Sequence, residues 1–254
     1  MKNTLINAVK AAAKIAKTEF EKPKQIKVKR GASPSLVTNV DLKCNAAIIN
    51  EIKKKFPDHN IVSEETGKEE NGSDYTWYID PIDGTHNFAR SIPIYGNSVA
   101  LAFKGKVIMG AISVPSLNSL YFAEKERGAF KNGKRIRVSK KKELNFYIVG
   151  FDFPSSKRHN SLGFLDNIKS HVVDIRNFGC AVYQAVLLAE GKLDAYVIQK
   201  TNSWDIAAAF LIIEEAGGKV TNFKGEKWGL EDKSFVATNG LIHKEILGCV
   251  RRVK

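Results

Sequence analysis

Cysteine is scarce in this sequence. Cys44, Cys180 and Cys249 are the only three, far apart and odd in number. No C-x-x-C pair occurs, which argues against both a disulfide framework and a zinc site. Reduced thiols fit a cytoplasmic setting best. Long apolar runs are missing as well. Lys2, Lys10, Lys14 and Lys17 interrupt the first stretch, and no run is long enough for a secretory core or a membrane span. Internal repeats and low-complexity tracts are absent. No Ser-His-Asp or Cys-His arrangement is evident. Acidic residues are outnumbered, 27 against 40 Lys and Arg, for a net charge of +13. Such a surface steers anions inward. The lysines are scattered, however, and no arginine-rich arm or aromatic-interleaved basic stripe marks a nucleic-acid binder. Nucleic acid is one candidate anion and phosphorylated metabolites are another, and a basic but soluble enzyme is the favoured reading.

What is present is ordinary globular composition, 43% hydrophobic and 26% charged over 254 residues. That length suits one large domain or two closely packed halves. Leu5, Val9, Ala12, Ala13, Ala16 and Phe20 repeat at helical spacing over residues 3–20, and Val40, Cys44, Ala47, Ile48 and Ile52 do so over 40–55. A short strand runs from Ile61 to Ser63. The Gly-, Glu- and Asn-rich stretch Thr66 to Asp74 reads as a mobile loop. Trp77-Tyr78-Ile79 reads as a buried strand that stops at Asp80-Pro81. Ser98 to Phe122 predicts an antiparallel meander, and Asn132-Gly133 marks a hairpin tip. Strands and helices then alternate. Strands are expected at Phe146–Phe151, Val172–Ile175, Leu193–Ile198 and near 219 and 235. Helices are expected near 159–170, at 180–190, 204–216 and Leu241–Val250. The lysine-rich stretch Ser139 to Glu143 is the predicted seam between an α+β half, 1–143, and an α/β half, 144–254.

Chemistry concentrates in Asp80-Pro81-Ile82-Asp83-Gly84-Thr85. A strand delivers Asp80, and Asp83 follows close enough to share a cation with it. Gly84 lets the backbone approach a ligand. Thr85 opens a helix whose free N–H groups can receive an anion. Few carboxylates plus water and phosphate is what Mg²⁺ prefers. Taken alone, the motif is equally a turn with a side-chain cap. Three further pieces add weight: Glu64-Glu65 at a strand end, Asp205 at a helix start, and Asp41 at another. Each of these is, by itself, an ordinary surface acid or helix-terminal charge.

Together these residues resemble the inositol monophosphatase family, within the lithium-sensitive, metal-dependent phosphatases. The resemblance rests on Ser63-Glu64-Glu65-Thr66, on Trp77 through Phe88, and on Trp204-Asp205-Ile206-Ala207-Ala208-Ala209 leading to Glu215-Ala216-Gly217-Gly218. Leu36-Val37-Thr38 with Asp41, and Gly179-Cys180-Ala181, match more weakly. It implies a layered αβαβα sandwich of mixed α/β class, often dimeric. Glu64, Asp80, Asp83, Asp205 and the carbonyl of Ile82 are implied as ligands to about two to three Mg²⁺ ions, a pair of which clamps an in-line displacement. Asp41 and Thr85, with Glu64, form the implied catalytic group that activates water. Asp83, Gly84, Thr85 and Asp205 would meet the substrate, and Gly179, Cys180, Ala181 and Lys200 would line its alcohol side. His86 reads as a neighbour of the site and not as a base.

The sequence departs from the family in two places. Arg30 and Ser35 stand where Lys and Asp are common. Ile198 stands seven residues before Asp205, where animal-type relatives place a glutamate on inositol hydroxyls. Strict preference for inositol monophosphate is therefore open. Lys200 suits a second negative group, as on fructose 1,6-bisphosphate or a nucleotide such as 3′-phosphoadenosine phosphate or NADP. A protein that binds RNA or a transcription complex on the same fold is the alternative of another class.

Overall fold

The computed structural model describes residues 1–29, 35–142, 147–152, 161–169 and 172–252. Arg30, Glu143, Phe146 and the ends of the helix expected near 159–170 lie outside them. Helix α1 (Lys2–Glu19) buries Leu5, Ala8, Val9, Ala12 and Ala16 along one stripe. Strands β1 (Ile26–Lys29) and β2 (Ser35–Thr38) pair antiparallel. Helix α2 (Asn39–Lys53) starts at a capping box. The Thr38 hydroxyl accepts the N–H groups of Val40 and Asp41, and the Asp41 carboxylate accepts the N–H of Thr38.

An eight-stranded sheet follows. Its strands are β3 (Asn60–Ser63), β4 (Gly67–Glu69), β5 (Tyr75–Asp83), β6 (Gly96–Phe103), β7 (Lys106–Val114), β8 (Ser119–Glu124), β9 (Gly128–Lys131) and β10 (Lys134–Arg135), with helix α3 (Thr85–Ala89) between β5 and β6. The order is β10-β9-β8-β7-β6-β5-β3-β4. β3 and β5 run parallel, and the other neighbours are antiparallel. The expected meander is β6–β7–β8. The expected hairpin turns at Asn132 and Gly133, both at positive φ (47° and 79°), as a tight primed turn requires.

Two expectations need correction. Thr66–Asp74 is not all loop, because β4 pairs along β3. Its side chains are exposed, so backbone pairing and the Lys53–Glu69 ion pair at 2.7 Å hold it, and no apolar pattern announces that. Nor does β5 stop at Asp80-Pro81. It continues to Asp83 across a bulge. Between Asp80 and Asp83 the strand advances three residues while β6 advances two, from Ser98 to Gly96. Pro81, which has no N–H to donate, falls within this irregularity.

The second sheet contains β11 (Ile148–Asp152), β12 (Asp174–Arg176), β13 (Ala195–Ile198), β14 (Lys219–Thr221) and β15 (Phe235–Thr238), in the order β12-β11-β13-β15-β14. Its helices are α4 (Ser161–Ile168), α5 (Ala181–Ala189), α6 (Ser203–Glu215) and α7 (His243–Arg251). β12 and β13 begin two residues later than the patterns suggest.

Layering follows from which faces are apolar. α1 and α2 cover one face of the larger sheet, where Leu5 and Ile48 meet Trp77, Ile79 and Leu101. α5 and α6 fill the space between the sheets, joining Val182, Ala207 and Ala208 to Ile112, Tyr196 and Ile198. α4 and α7 cover the outer face of the smaller sheet through Phe164, Ile168, Ile246 and Val250. This is the αβαβα sandwich. Every residue of α6 from Ile206 to Ile213 is buried, as a helix enclosed between two sheets must be. α6 follows the lysine-rich seam in sequence yet packs on β5 to β9. One core therefore contains residues from both sides of the seam. Among the described residues no helix is long and apolar enough to cross a membrane, and the three cysteines are free and buried.

Candidate active site

Strand alternation places the first acid. Trp77 and Ile79 face α1 and α2, so Asp80 faces the middle layer. In a regular strand Asp83 would point the opposite way. The bulge adds one residue, Ile82 returns to the α1–α2 core, and Asp83 turns to the same side as Asp80. There the side chains meet a cavity of about 310 Å³. It is lined by Glu64, Asp80, Ile82, Asp83, Gly84, Thr85, Gly179, Cys180, Ala181, Lys200 and Asp205, with His86 at its edge. Elements far apart in sequence thus gather nearly every residue predicted for the site. Asp41 does not line the cavity. It lies fully buried behind Thr85.

Each acid has a distinct environment. Asp80 is 2% exposed, and its Oδ1 has no hydrogen-bond partner. Burial, reinforced by Glu64, Asp83, Asp205 and Asp41, holds its pKa well above the carboxylate range. Asp83 Oδ2 accepts the Val182 N–H at 2.6 Å and the Cys180 thiol at 3.1 Å. Burial pushes Asp83 up to about 7, with Asp152 and Glu64 adding repulsion. Asp205 is the third residue of α6 and closes a capping box with Asn202. Its Oδ2 accepts the Asn202 N–H at 2.9 Å and the Thr201 hydroxyl at 3.2 Å. Burial, Glu64 and Asp83 push it to about 7.

Glu64 stands just past β3, with its N–H bonded to Ile79 O at 3.1 Å. Its carboxylate meets Lys29 Nζ at 3.1 Å, and Lys29 also meets Glu65 at 2.6 Å. The Glu64-Glu65 pair is therefore divided. Glu64 reaches the cavity, while the Glu65 side chain is 3% exposed against Lys29. Thr85 Oγ1 lies 2.9 Å from Ile82 O and 3.3 Å from Asp41 Oδ1, so its one proton has two acceptors. Burial raises the Asp41 pKa. Gly84 has φ +80°, and a Cβ there would stand 2.9 Å from Ile94 O and 3.1 Å from Cys180 Cβ. Glycine alone satisfies both demands.

These groups fit a hard divalent cation. The donors are oxygens, one of them is buried without a partner, and burial raises the pKa values of Asp80, Asp83 and Asp205, which a nearby cation would offset. As the side chains stand, no three acids among the described residues close around one point tightly enough to grip an ion.

Sequence reasoning missed two residues. Lys29, from β1, reaches Glu64 across the sheet edge, and only the fold brings them together. Asp152 ends β11 and lines the cavity. The signal that flagged Asp80, an acid at the end of an apolar strand, was available for Asp152 in Ile148-Val149-Gly150-Phe151-Asp152.

Known proteins share both sequence and fold. A Thermotoga maritima protein named fructose-1,6-bisphosphatase/inositol-1-monophosphatase is 38% identical over 229 residues, covering 89% of this chain and 86% of that one. The Nus factor SuhB of Pasteurella multocida is 33% identical, covering 99% and 96%. The crystal structure of the extragenic suppressor protein suhB from Bartonella henselae superposes with a TM-score of 0.94 at 30% identity, covering 98% of both chains. The profile described as the inositol monophosphatase family matches residues 1–254, so this chain belongs to the inositol monophosphatase family.

Proposed function

We propose that the protein is a Mg²⁺-dependent phosphatase acting on a phosphate monoester of a small polyol or sugar, with inositol 1-monophosphate the leading substrate. The observation that carries this is the convergence of Glu64, Asp80, Asp83 and Asp205 on one cavity, with Asp80 Oδ1 buried and unpartnered. In this reading those four side chains and the Ile82 carbonyl hold about two to three Mg²⁺ ions. Bound Mg²⁺ supplies positive charge to a phosphoryl group that otherwise repels its attacker. Asp41 and Thr85 orient the attacking water, and Asp41 takes its proton through the Thr85 hydroxyl. The N–H groups of Gly84 and Thr85, at the start of α3, receive phosphate oxygens. Gly179, Cys180, Ala181 and Lys200 face the leaving alcohol. The working unit is a homodimer in a cytoplasmic setting.

Lys200 on the cavity wall and the double name of the Thermotoga relative support a bisphosphate as the rival substrate. Phosphate release from inositol 1-monophosphate, fructose 1,6-bisphosphate and 3′-phosphoadenosine phosphate, with and without Mg²⁺, decides between them. No release from any of them sinks the phosphatase reading. A second role follows from relatives named Nus factor SuhB: contact with RNA or a transcription complex through the basic surface. Steeply salt-dependent retention on RNA is its signature.

A further inference from the structure

Asp152 has no part in the reading above, yet it faces the same cavity. β11 alternates. Val149 and Phe151 join the outer core, which leaves Gly150 and Asp152 on the side of α5 and the cavity. Both carboxyl oxygens are held. Gln184 Nε2 donates to Oδ1 at 2.7 Å, and the Tyr196 hydroxyl donates to Oδ2. Gln184 and Tyr196 are fully buried. Gly150 makes their room: a Cβ there would stand 2.8 Å from Gln184 Oε1 and 3.1 Å from Tyr196 Cδ2. Two buried groups thus fix the orientation of one acid at an opening, which is how a binding side chain is preorganised. An acid serving the core alone would be sealed from the cavity.

Its neighbour sharpens the point. In the parallel pairing of β11 with β13, Asp152 lies in register with Ile198. Both residues line the cavity. Ile198 is the position where the sequence lacks the hydroxyl-binding glutamate of animal-type relatives. The wall still presents an acid, supplied one strand over, beside a branched aliphatic group.

We propose that Asp152 determines specificity on the alcohol side by accepting a hydrogen bond from a hydroxyl of the substrate, while Ile198 packs against the adjoining C–H surface. Each carboxylate oxygen has lone pairs beyond the one given to Gln184 or Tyr196. The fitting substrate is a polyol monophosphate with a free hydroxyl near the ester. A second phosphate at that wall meets the Asp152 carboxyl, which opposes the attraction of Lys200. This inference rests on the phosphatase reading and deepens it.

The test is Asp152→Asn, assayed by phosphate release on inositol 1-monophosphate, fructose 1,6-bisphosphate and p-nitrophenyl phosphate, which has no hydroxyl to offer. The expected result is a kcat/KM for inositol 1-monophosphate lower by about 10- to 100-fold, carried mainly by KM. Turnover of p-nitrophenyl phosphate holds to within about threefold, and relative activity on the bisphosphate rises. In the double variant Asp152→Asn with Ile198→Glu, the acid returns to β13 and the preference for the hydroxylated monoester recovers. An unchanged preference in Asp152→Asn, or an equal loss on all three substrates, overturns the proposal while leaving the phosphatase reading intact. A wild-type protein silent on every substrate overturns both.

Discussion

Replacing Asp83 by Asn should stabilise the metal-free protein and gain less, or nothing, in Mg²⁺. In the folded, metal-free protein the Asp83 carboxyl is raised from 3.8 to about 7. A raised acid contributes most below its unfolded value and loses that contribution as pH rises towards 7. At pH 8 the wild type therefore carries a carboxylate that folding disfavours by roughly 4 kcal/mol, at about 1.36 kcal/mol per pKa unit. Asn is nearly isosteric. Its oxygen can still accept the Val182 N–H, now 2.6 Å away, and the Cys180 thiol. Some of the repulsion is shared with the other acids and relaxes in other ways. A net gain of about 1–4 kcal/mol is expected for the variant in EDTA. Saturating Mg²⁺, at about a hundred times its Kd, adds roughly 2.7 kcal/mol to the wild type and much less to a site missing one carboxylate. Urea unfolding at pH 8, in EDTA and in Mg²⁺, reads both differences. The variant leads in EDTA, its lead shrinks or reverses in Mg²⁺, and its turnover is nearly abolished. A variant less stable than wild type in EDTA, equal Mg²⁺ stabilisation of both proteins, or near-normal turnover would refute the reasoning.

Other residues give independent checks. Asp41→Asn should lower kcat by about 10²–10⁴-fold, with helix content by circular dichroism unchanged because the amide oxygen can still accept the Thr38 N–H now bonded at 2.9 Å. His243 is 4% exposed between the hydroxyls of Thr221 and Thr238, and burial pushes its pKa down to about 4. A lowered base contributes fully above pH 6.5 and loses that contribution as pH falls towards 4. The stability advantage of wild type over His243→Gln should therefore shrink by about 3 kcal/mol between pH 7 and 4, read from urea midpoints. Gly110→Ala should cost about 1–3 kcal/mol, because its Cβ would stand 2.9 Å from Ala208 Cα and 3.0 Å from Ala208 O, and helix backbone cannot rotate away. An unshifted urea midpoint would count against that packing.

What the sequence made legible follows a simple division. α1 and α2 carry an apolar period, α6 a continuous apolar run and the meander β6–β8 its turn residues, so a local reading finds them. β4 has no buried side chain, and its pairing with β3 is written only in backbone groups. The continuation of β5 through Pro81 depends on β6 supplying a partner across the bulge. The site divides similarly. Asp80, Asp83 and Thr85 share one short motif. Lys29 joins Glu64 only because β1 folds beside the end of β3, and Asp152 becomes a neighbour of Ile198 only through the β11–β13 register.

Asp41 and Asp205 show why the bland and the sharp readings of a helix-terminal acid need not compete. Both are the third residue of their helix, and both close a capping box. A carboxylate has two oxygens. In Asp41 the cap occupies Oδ2, and Oδ1 receives Thr85. In Asp205 the bonds from Thr201 and Asn202 fall on Oδ2. The cap fixes the rotamer, and a fixed rotamer is what a site needs from each of its members. The helix N-terminus also favours negative charge, which opposes the burial that raises both pKa values. Each acid is therefore anchored by its own helix before any ligand is considered, Asp41 by α2 on the outer face of the larger sheet and Asp205 by α6 between the sheets. Removing both side-chain donors to that oxygen, as in Thr201→Val with Asn202→Ala, should loosen Asp205 along with the start of α6, because only the Asn202 backbone N–H is then left on Oδ2. Catalytic loss and local fraying would then appear together, whereas a purely structural cap would show fraying alone.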